Sequence, residues 1–258
     1  MKSARSATRS ASSSEKLARI YQEAHRAVAK GDGRRKLWTY YPDSGPLRRA
    51  VYPKHLAFFA AGAAHRERLF MAANRVGKTE GVGGYETTLH LTGAYPPWWE
   101  GRRFDRPVAA WVAGKTNETT RDIVQAKLFG RVEGSGTKKR FAGTGLVPGE
   151  AIGACAWRGA FPDLADTVAI RHAGGGWSTL GIKSYQQGRG AFEGTEQDVV
   201  WLDEEPPLDV YVECLVRTMT TDGLVMVTFT PLEGMSDVVM SFLESERAGP
   251  SASLGAGA

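Results

Sequence analysis

A chain of 258 residues, 42% hydrophobic and 24% charged, can bury a substantial core and has the composition of an ordinary globular protein, not a disordered or fibrous one. Its two cysteines, Cys155 and Cys214, are far apart and lack metal-ligand spacing, which excludes a disulfide framework and leaves two buried thiols in a reducing compartment as the expectation. The net charge of +5 is concentrated in residues 1–36, whose ten Lys/Arg and three Asp/Glu leave a net −2 on the remaining 222, so the body of the chain is not a generally basic nucleic-acid binder.

Residues 1–14, rich in Ser, Ala and Arg, have no periodicity and read as a disordered basic leader. This start lacks the apolar segment of a secretion signal, and no apolar run reaches the roughly 20 residues that span a bilayer, so no membrane association is expected. Leu17, Ile20, Tyr21, Ala24 and Val28 recur at helical spacing, which predicts an amphipathic helix over 15–29, stopped by Gly31-Asp32-Gly33. Residues 38–53 carry turn formers and aromatics that wrap the core, and 15–52 form an N-terminal helical and irregular extension. Pro53 opens a second helix through Phe59.

The apolar run Leu69 to Ala73 then leads into Asn74-Arg75-Val76-Gly77-Lys78-Thr79, followed by residues able to continue as a helix to about Leu91. Strand, glycine-containing turn and Lys-Thr at a helix start is the order a nucleoside triphosphate site needs. Backbone N–H groups cradle the phosphates, Gly77 lets the backbone approach closely, Lys78 reaches the β- and γ-phosphates, and the Thr79 hydroxyl ligates Mg²⁺. Ala72 stands where this loop usually begins with Gly.

Val108 to Gly114 reads as a buried strand, and Thr116 to Asp122 as a capped helix start. Residues 130–160 are Gly-rich with a basic knot at Lys138-Lys139-Arg140, and read as loops with short elements. Residues 167–172 and 177–185 flank Gly174-Gly175-Gly176 as a β-hairpin. Asp198 to Leu202 is a strand ending in Asp203-Glu204-Glu205. Carboxylates at the C-terminal end of such a strand lie where open α/β sheets bind ligands. Asp203 would hold the metal, and Glu204 would act as the base for an attacking water, with Glu205 next in line. A helix over 207–220, a strand over 224–230 ending in Thr228-Phe229-Thr230, and a short helix over 236–246 complete the core, and the tail after 247 reads as disordered. The Thr228 to Thr230 hydroxyls would sense the γ-phosphate.

Alternating strands and helices predict an α/β fold: a doubly wound, mostly parallel sheet of P-loop NTPase type with a catalytic Glu after the acidic strand. Taken together, Asn74 to Thr79, Val200 to Pro206 and Thr228 to Leu232 resemble the ATPase domain of the large terminase subunit of tailed bacteriophages. The resemblance, over about Pro53 to Ser245, implies a motor domain that uses ATP and Mg²⁺ to drive double-stranded DNA into a procapsid in the host bacterial cytoplasm. It implies a portal protein and a small terminase subunit as partners, and a homo-oligomeric ring on the portal. By it, Arg75 is an in-cis contact to the γ-phosphate, and His55 stands where the family usually has a base-contacting Gln. Because such motors can take an Arg from a neighbour, Arg189 and Arg217 are candidate trans-acting residues. The expected ATPase domain is 53–247, with a disordered tail at 248–258 and no nuclease domain of the kind the family carries. Competing readings are a helicase-like, nucleic-acid-stimulated ATPase and an ATP-binding assembly module that does not hydrolyse; a small-molecule kinase is disfavoured by the Thr-Phe-Thr element.

Overall fold

The structure, a computed structural model, describes residues 36–231 and 236–248. The expected leader, the helix over 15–29 and the tail beyond 248 lie outside the described residues. In chain order, the main elements begin with α1 (Pro53–Ala61), β1 (Glu67–Met71), α2 (residues 78–92), β2 (Ala109–Gly114) and α3 (residues 117–129). There follow β3 (Val132–Glu133), β4 (Arg140–Phe141), β5 (Ile152–Trp157), β6 (Ala165–Arg171), β7 (Trp177–Ser184), β8 (Val199–Asp203), α4 (Leu208–Met219), β9 (Leu224–Phe229) and α5 (Asp237–Ala248).

One seven-stranded sheet runs β1-β9-β8-β2-β7-β6-β5, and β3 pairs with β4 in a separate two-stranded ribbon. The first five strands are mutually parallel, and the hairpin β6–β7 and the pair β5–β6 extend the sheet antiparallel. The expected α/β, mostly parallel fold is therefore the observed one. The strand beside β1 is β9, which separates it from the acidic strand β8, while β2 lies on the far side of β8.

Strands with both faces covered need apolar residues at every position, and β8 and β9 are buried throughout. Val199, Trp201, Leu224, Met226 and Val112 face a core shared with Val82, Tyr85, Leu89 and Leu128 of α2 and α3. Val200, Leu202, Val225, Val227 and Phe229 face the opposite core, closed by Val210, Tyr211 and Cys214 of α4 and Val238 and Val239 of α5. Helices thus cover both sides, as the alternation of elements predicts.

One expectation is sharpened and one corrected. Residues 130–160, read as loops with short elements, include a six-residue strand of the main sheet, β5. Gly153, Ala154 and Ala156 have weak strand propensity, but the Trp177 ring lies against Gly153, where a Cβ would come within 2.4 Å of it. Only one thiol is fully buried: Cys214 lies in the core, whereas Cys155, on the outermost strand, is half-buried. Burial pushes both thiols up to about 12.

The segment before α1 packs as expected from its aromatics. The Tyr41 ring lies 5.0 Å from Tyr85, 5.7 Å from Phe59 and 5.8 Å from Trp98. Beneath it, Arg68 of β1 and Glu86 of α2 form a buried ion pair at 2.7 Å, with His90 3.2 Å from the same carboxylate.

Candidate active site

The parallel strands deliver their C-terminal ends to one edge, and there two connections take left-handed backbone. Between β1 and α2, Arg75 and Gly77 have φ of +64° and +86°, and at the end of β8 Glu204 has φ of +64°. For Arg and Glu this left-handed backbone is uncommon and is held only by surrounding structure. At Glu204 the restraint is visible: its N–H donates to the Thr228 carbonyl at 2.9 Å. Its own carbonyl and that of Asp203 both accept from the buried Tyr185 hydroxyl, at 2.9 and 3.0 Å.

The start of α2 is wound wider than an α-helix over Lys78–Gly84, with the Gly77 carbonyl accepting from both Gly81 and Val82. The glycines that follow permit this close approach. A Cβ on Gly83 would come 2.1 Å from the Trp201 ring, and one on Gly84 would come 2.8 Å from the Thr79 carbonyl. Lys78 is buried, and its Nζ donates to the Ala73 carbonyl of its own loop at 2.8 Å.

A single hydrogen-bonded chain joins the three sequence motifs. Trp201 Nε1 donates to Thr228 Oγ1 at 2.8 Å, and Thr228 Oγ1 donates to Asp203 Oδ1 at 2.8 Å. Thr79 Oγ1 donates to the same carboxylate from the other side, 3.1 and 3.2 Å from its two oxygens. Two residues beyond Thr228, on the same strand face, Thr230 Oγ1 donates to Asn74 Oδ1 at 2.8 Å. Phe229 points the other way, into the core beneath α4. Of the expected site residues, Asn74, Thr79, Asp203, Thr228 and Thr230 are therefore in direct contact, with Lys78 and Glu204 adjacent in the chain.

Burial pushes the Asp203 carboxyl up to about 7, with the Glu204 charge adding to it, against the Thr228 and Thr79 hydroxyls and the nearby Lys78 ammonium. A hydroxyl and a carboxylate are the hard oxygen donors that Mg²⁺ takes, so the residues present fit that ion. Among the described residues no trio of His, Cys, Asp and Glu could hold a metal alone. An ion at Thr79 and Asp203 would therefore complete its shell with water and phosphate oxygens, which is the usual habit of Mg²⁺.

Two cavities open at this edge, one at the end of the acidic strand and one against the loop. One of about 590 Å³ is lined by Lys115, Tyr185, Glu204, Glu205, Thr230 and Asp237. The other, of about 390 Å³, is lined by Tyr40, Tyr41, Tyr52, His55, Arg75 and Val76. Arg75 is exposed on this second cavity. His55 is in its wall, with its ring nitrogens 3.1 Å from the Val76 carbonyl and 2.6 Å from the Tyr41 hydroxyl. Arg189 and Arg217 are both held in cis, 2.9 and 3.0 Å from the buried Glu213 carboxylate. Sequence reasoning missed Tyr185 and Tyr41, neither of which lies in a recognisable motif.

A family model described as terminase large subunit, T4likevirus-type, N-terminal, matches residues 69–252. The chain therefore belongs to the large terminase subunit family of tailed bacteriophages and corresponds to its N-terminal, ATPase-domain part. It is 40% identical over 215 residues to the terminase large subunit of Salmonella phage P22, which covers 76% of this chain and 42% of that protein. The chain thus spans less than half the length of that curated relative. The fold is shared with the ATPase domain of the large terminase of Thermus phage P74-26, at a TM-score of 0.50 and 16% identity over 81% of this chain and 72% of that one. It is shared too with a large terminase from a thermophilic bacteriophage, at a TM-score of 0.51 and 11% identity over 84% of this chain and 43% of that one.

Proposed function

We propose that this chain is an ATP-hydrolysing motor domain that couples hydrolysis to translocation of double-stranded DNA into a procapsid. The observation that carries this reading is the continuous link Thr79–Asp203–Thr228, which joins the phosphate loop, the acidic strand and the strand between them. In this reading Lys78 leaves the Ala73 carbonyl to meet the β- and γ-phosphates, and Thr79 and Asp203 hold Mg²⁺. The ion, when bound, supplies charge neutralisation on the phosphates. Glu204, exposed beyond Asp203 on a backbone pinned by Tyr185 and Thr228, orients and deprotonates the attacking water.

Thr228 touches the metal-site acid and Thr230 touches the loop residue Asn74, so a change at the γ-phosphate has two routes into β9. Such a shift acts only through contacts that differ between states, and these two are the ones this reading requires to change. Arg75 is exposed within the loop, which supports an in-cis role for it. Arg189 or Arg217 would first have to leave Glu213 to serve a neighbour. Residues 53–247 act as the ATPase domain. The partners in this reading are duplex DNA, a portal protein and a small terminase subunit, with copies of the chain in a ring on the portal in the host bacterial cytoplasm. No described helix is long and apolar enough to cross a membrane.

The test is steady-state ATP hydrolysis by the full chain, with and without blunt duplex DNA. The expected result is measurable turnover that Lys78→Ala abolishes by loss of nucleotide binding. Unchanged turnover in that variant would remove the phosphate-loop assignment, and stimulation only by strand-separable DNA would favour a helicase-like motor.

A further inference from the structure

His55 lines the aromatic cavity, yet it offers that cavity no free ring nitrogen. Nε2 lies 3.1 Å from the Val76 carbonyl at the loop crest, and Nδ1 lies 2.6 Å from the Tyr41 hydroxyl. That hydroxyl in turn donates to the Gly81 carbonyl, 2.6 Å away in the first turn of α2. The ring is 6% exposed, stacks on Tyr52 at 5.3 Å and meets Phe70 edge-on at 5.3 Å. It lies so close under the loop that a Cβ on Gly77 would come 3.4 Å from its Cε1.

Tyr41 is equally constrained. Its φ of +55° is rare for an aromatic residue, and its ring is 4% exposed among Tyr40, Tyr52, Phe59, Tyr85 and Trp98. Strain of that kind persists where packing over-determines it, and it concentrates at sites that position ligands. Both residues precede the stretch matched by the family model.

The chemistry explains why two residues are used. A loop whose carbonyls are tied on one side presents its N–H groups on the other, which is what a phosphate site requires. Burial lowers the His55 pKa against the raising effect of the Val76 carbonyl, and Nε2, which faces a carbonyl that can only accept, is the nitrogen that donates to the loop. The imidazole and the Tyr41 hydroxyl thus hold the Val76 and Gly81 carbonyls between them, and the short contact between Nδ1 and the hydroxyl links the two residues.

We propose that Tyr41 and His55 are positioning residues for the phosphate loop, acting on the triphosphate part of the substrate and not on its base. This rests on the reading of the loop as a phosphate site. A glutamine at position 55 could keep the contact to the loop, since its amide N–H can donate to the Val76 carbonyl.

The test uses the full chain with Mg²⁺ and measures the affinities of ATP and of inorganic tripolyphosphate, which has no base. His55→Ala should weaken both by the same factor, about 3- to 10-fold, the scale of one lost hydrogen bond. His55→Gln should restore both, and Tyr41→Phe, which keeps the ring packing, should weaken both equally. Weakening of ATP alone would overturn the proposal in favour of a base contact. Unchanged affinities in a Tyr41→Phe variant of wild-type melting temperature would overturn it as well, and that variant carries the test if His55→Ala does not fold. Wild-type chain that binds neither ligand would instead overturn the phosphate-site reading beneath it, a result distinct from either of these.

Discussion

Two of the buried carboxylates, Glu86 and Asp203, are treated oppositely. Glu86, fully buried on α2, would be raised by burial, but the Arg68 guanidinium and the bonds from His90 and Arg68 hold it below the usual carboxylate range. Arg68 gives it two N–H bonds, at 3.1 and 2.7 Å, and braces the Phe58 carbonyl of α1 at 2.8 Å. Asp203, also buried, is bonded only to hydroxyls and is pushed up to about 7. The first carboxylate is complete within the fold and ties α1, β1 and α2 together. The second is left short of positive charge, as a site for a cation would be. The two acids therefore differ in whether the fold itself supplies a cation.

The largest expected effect breaks the first network. Removing one member of a buried ion pair strands the other, so Arg68→Ala should cost about 3–5 kcal/mol in urea unfolding. A loss under about 1 kcal/mol would show that Glu86 does not depend on its partner. Next is Gly83→Ala, whose added methyl meets the Trp201 ring at 2.1 Å. Overpacking of this kind costs about 1–3 kcal/mol. Because Trp201 also bonds Thr228, the same variant should lower ATP turnover by more than its stability loss explains; wild-type stability would mean the helix can shift freely there.

Smaller, and opposite in sign for the two acids, is the pH dependence. Glu86 has a lowered folded value, so its contribution is present above the unfolded carboxylate range of about 4.3 and is lost as pH falls through the folded value. Asp203 has a raised one, so its contribution is present below about 3.9 and is lost as pH rises through about 7. In EDTA the chain should lose stability as pH rises from about 5 to about 8, and Asp203→Asn should flatten that slope; an unchanged slope would assign it to another group. The smallest effect is on stability at fixed pH. Asp203→Asn keeps an acceptor oxygen for the hydroxyls and should change unfolding at about pH 4, where the folded acid is protonated and the linkage cost is still small, by less than about 1 kcal/mol, while abolishing turnover.

Much of this architecture was legible in the sequence, for physical reasons that can be named. Strands buried on both faces must be apolar at every position, which makes Val199 to Leu202 and Leu224 to Phe229 visible as runs. Pro53 at a helix start and Thr116 as a helix cap carry local signals, and both stand where expected. What escaped depended on partners distant in sequence. β5 pairs with β6 and its Gly153 lies against Trp177, and Gly83 in the wide first turn of α2 lies against Trp201. Tyr185, Tyr41 and the double use of Glu213 by Arg189 and Arg217 are also contacts between segments, and no local pattern announces them. At the site, residue types and spacing identified the contacting groups, whereas the engagement of His55 with the loop needed the three-dimensional arrangement.

The hydrolytic role of Glu204 is the point most directly open to measurement. Single-turnover hydrolysis of ATP by Glu204→Gln, with nucleotide affinity measured in parallel, separates holding the substrate from activating the water. The expected result is affinity within about 2-fold of wild type and a hydrolysis rate lower by about 10²-fold or more, the typical share of a general base. Hydrolysis at the wild-type rate in this variant would contradict the account and move the base elsewhere, with Glu205 the next residue to test.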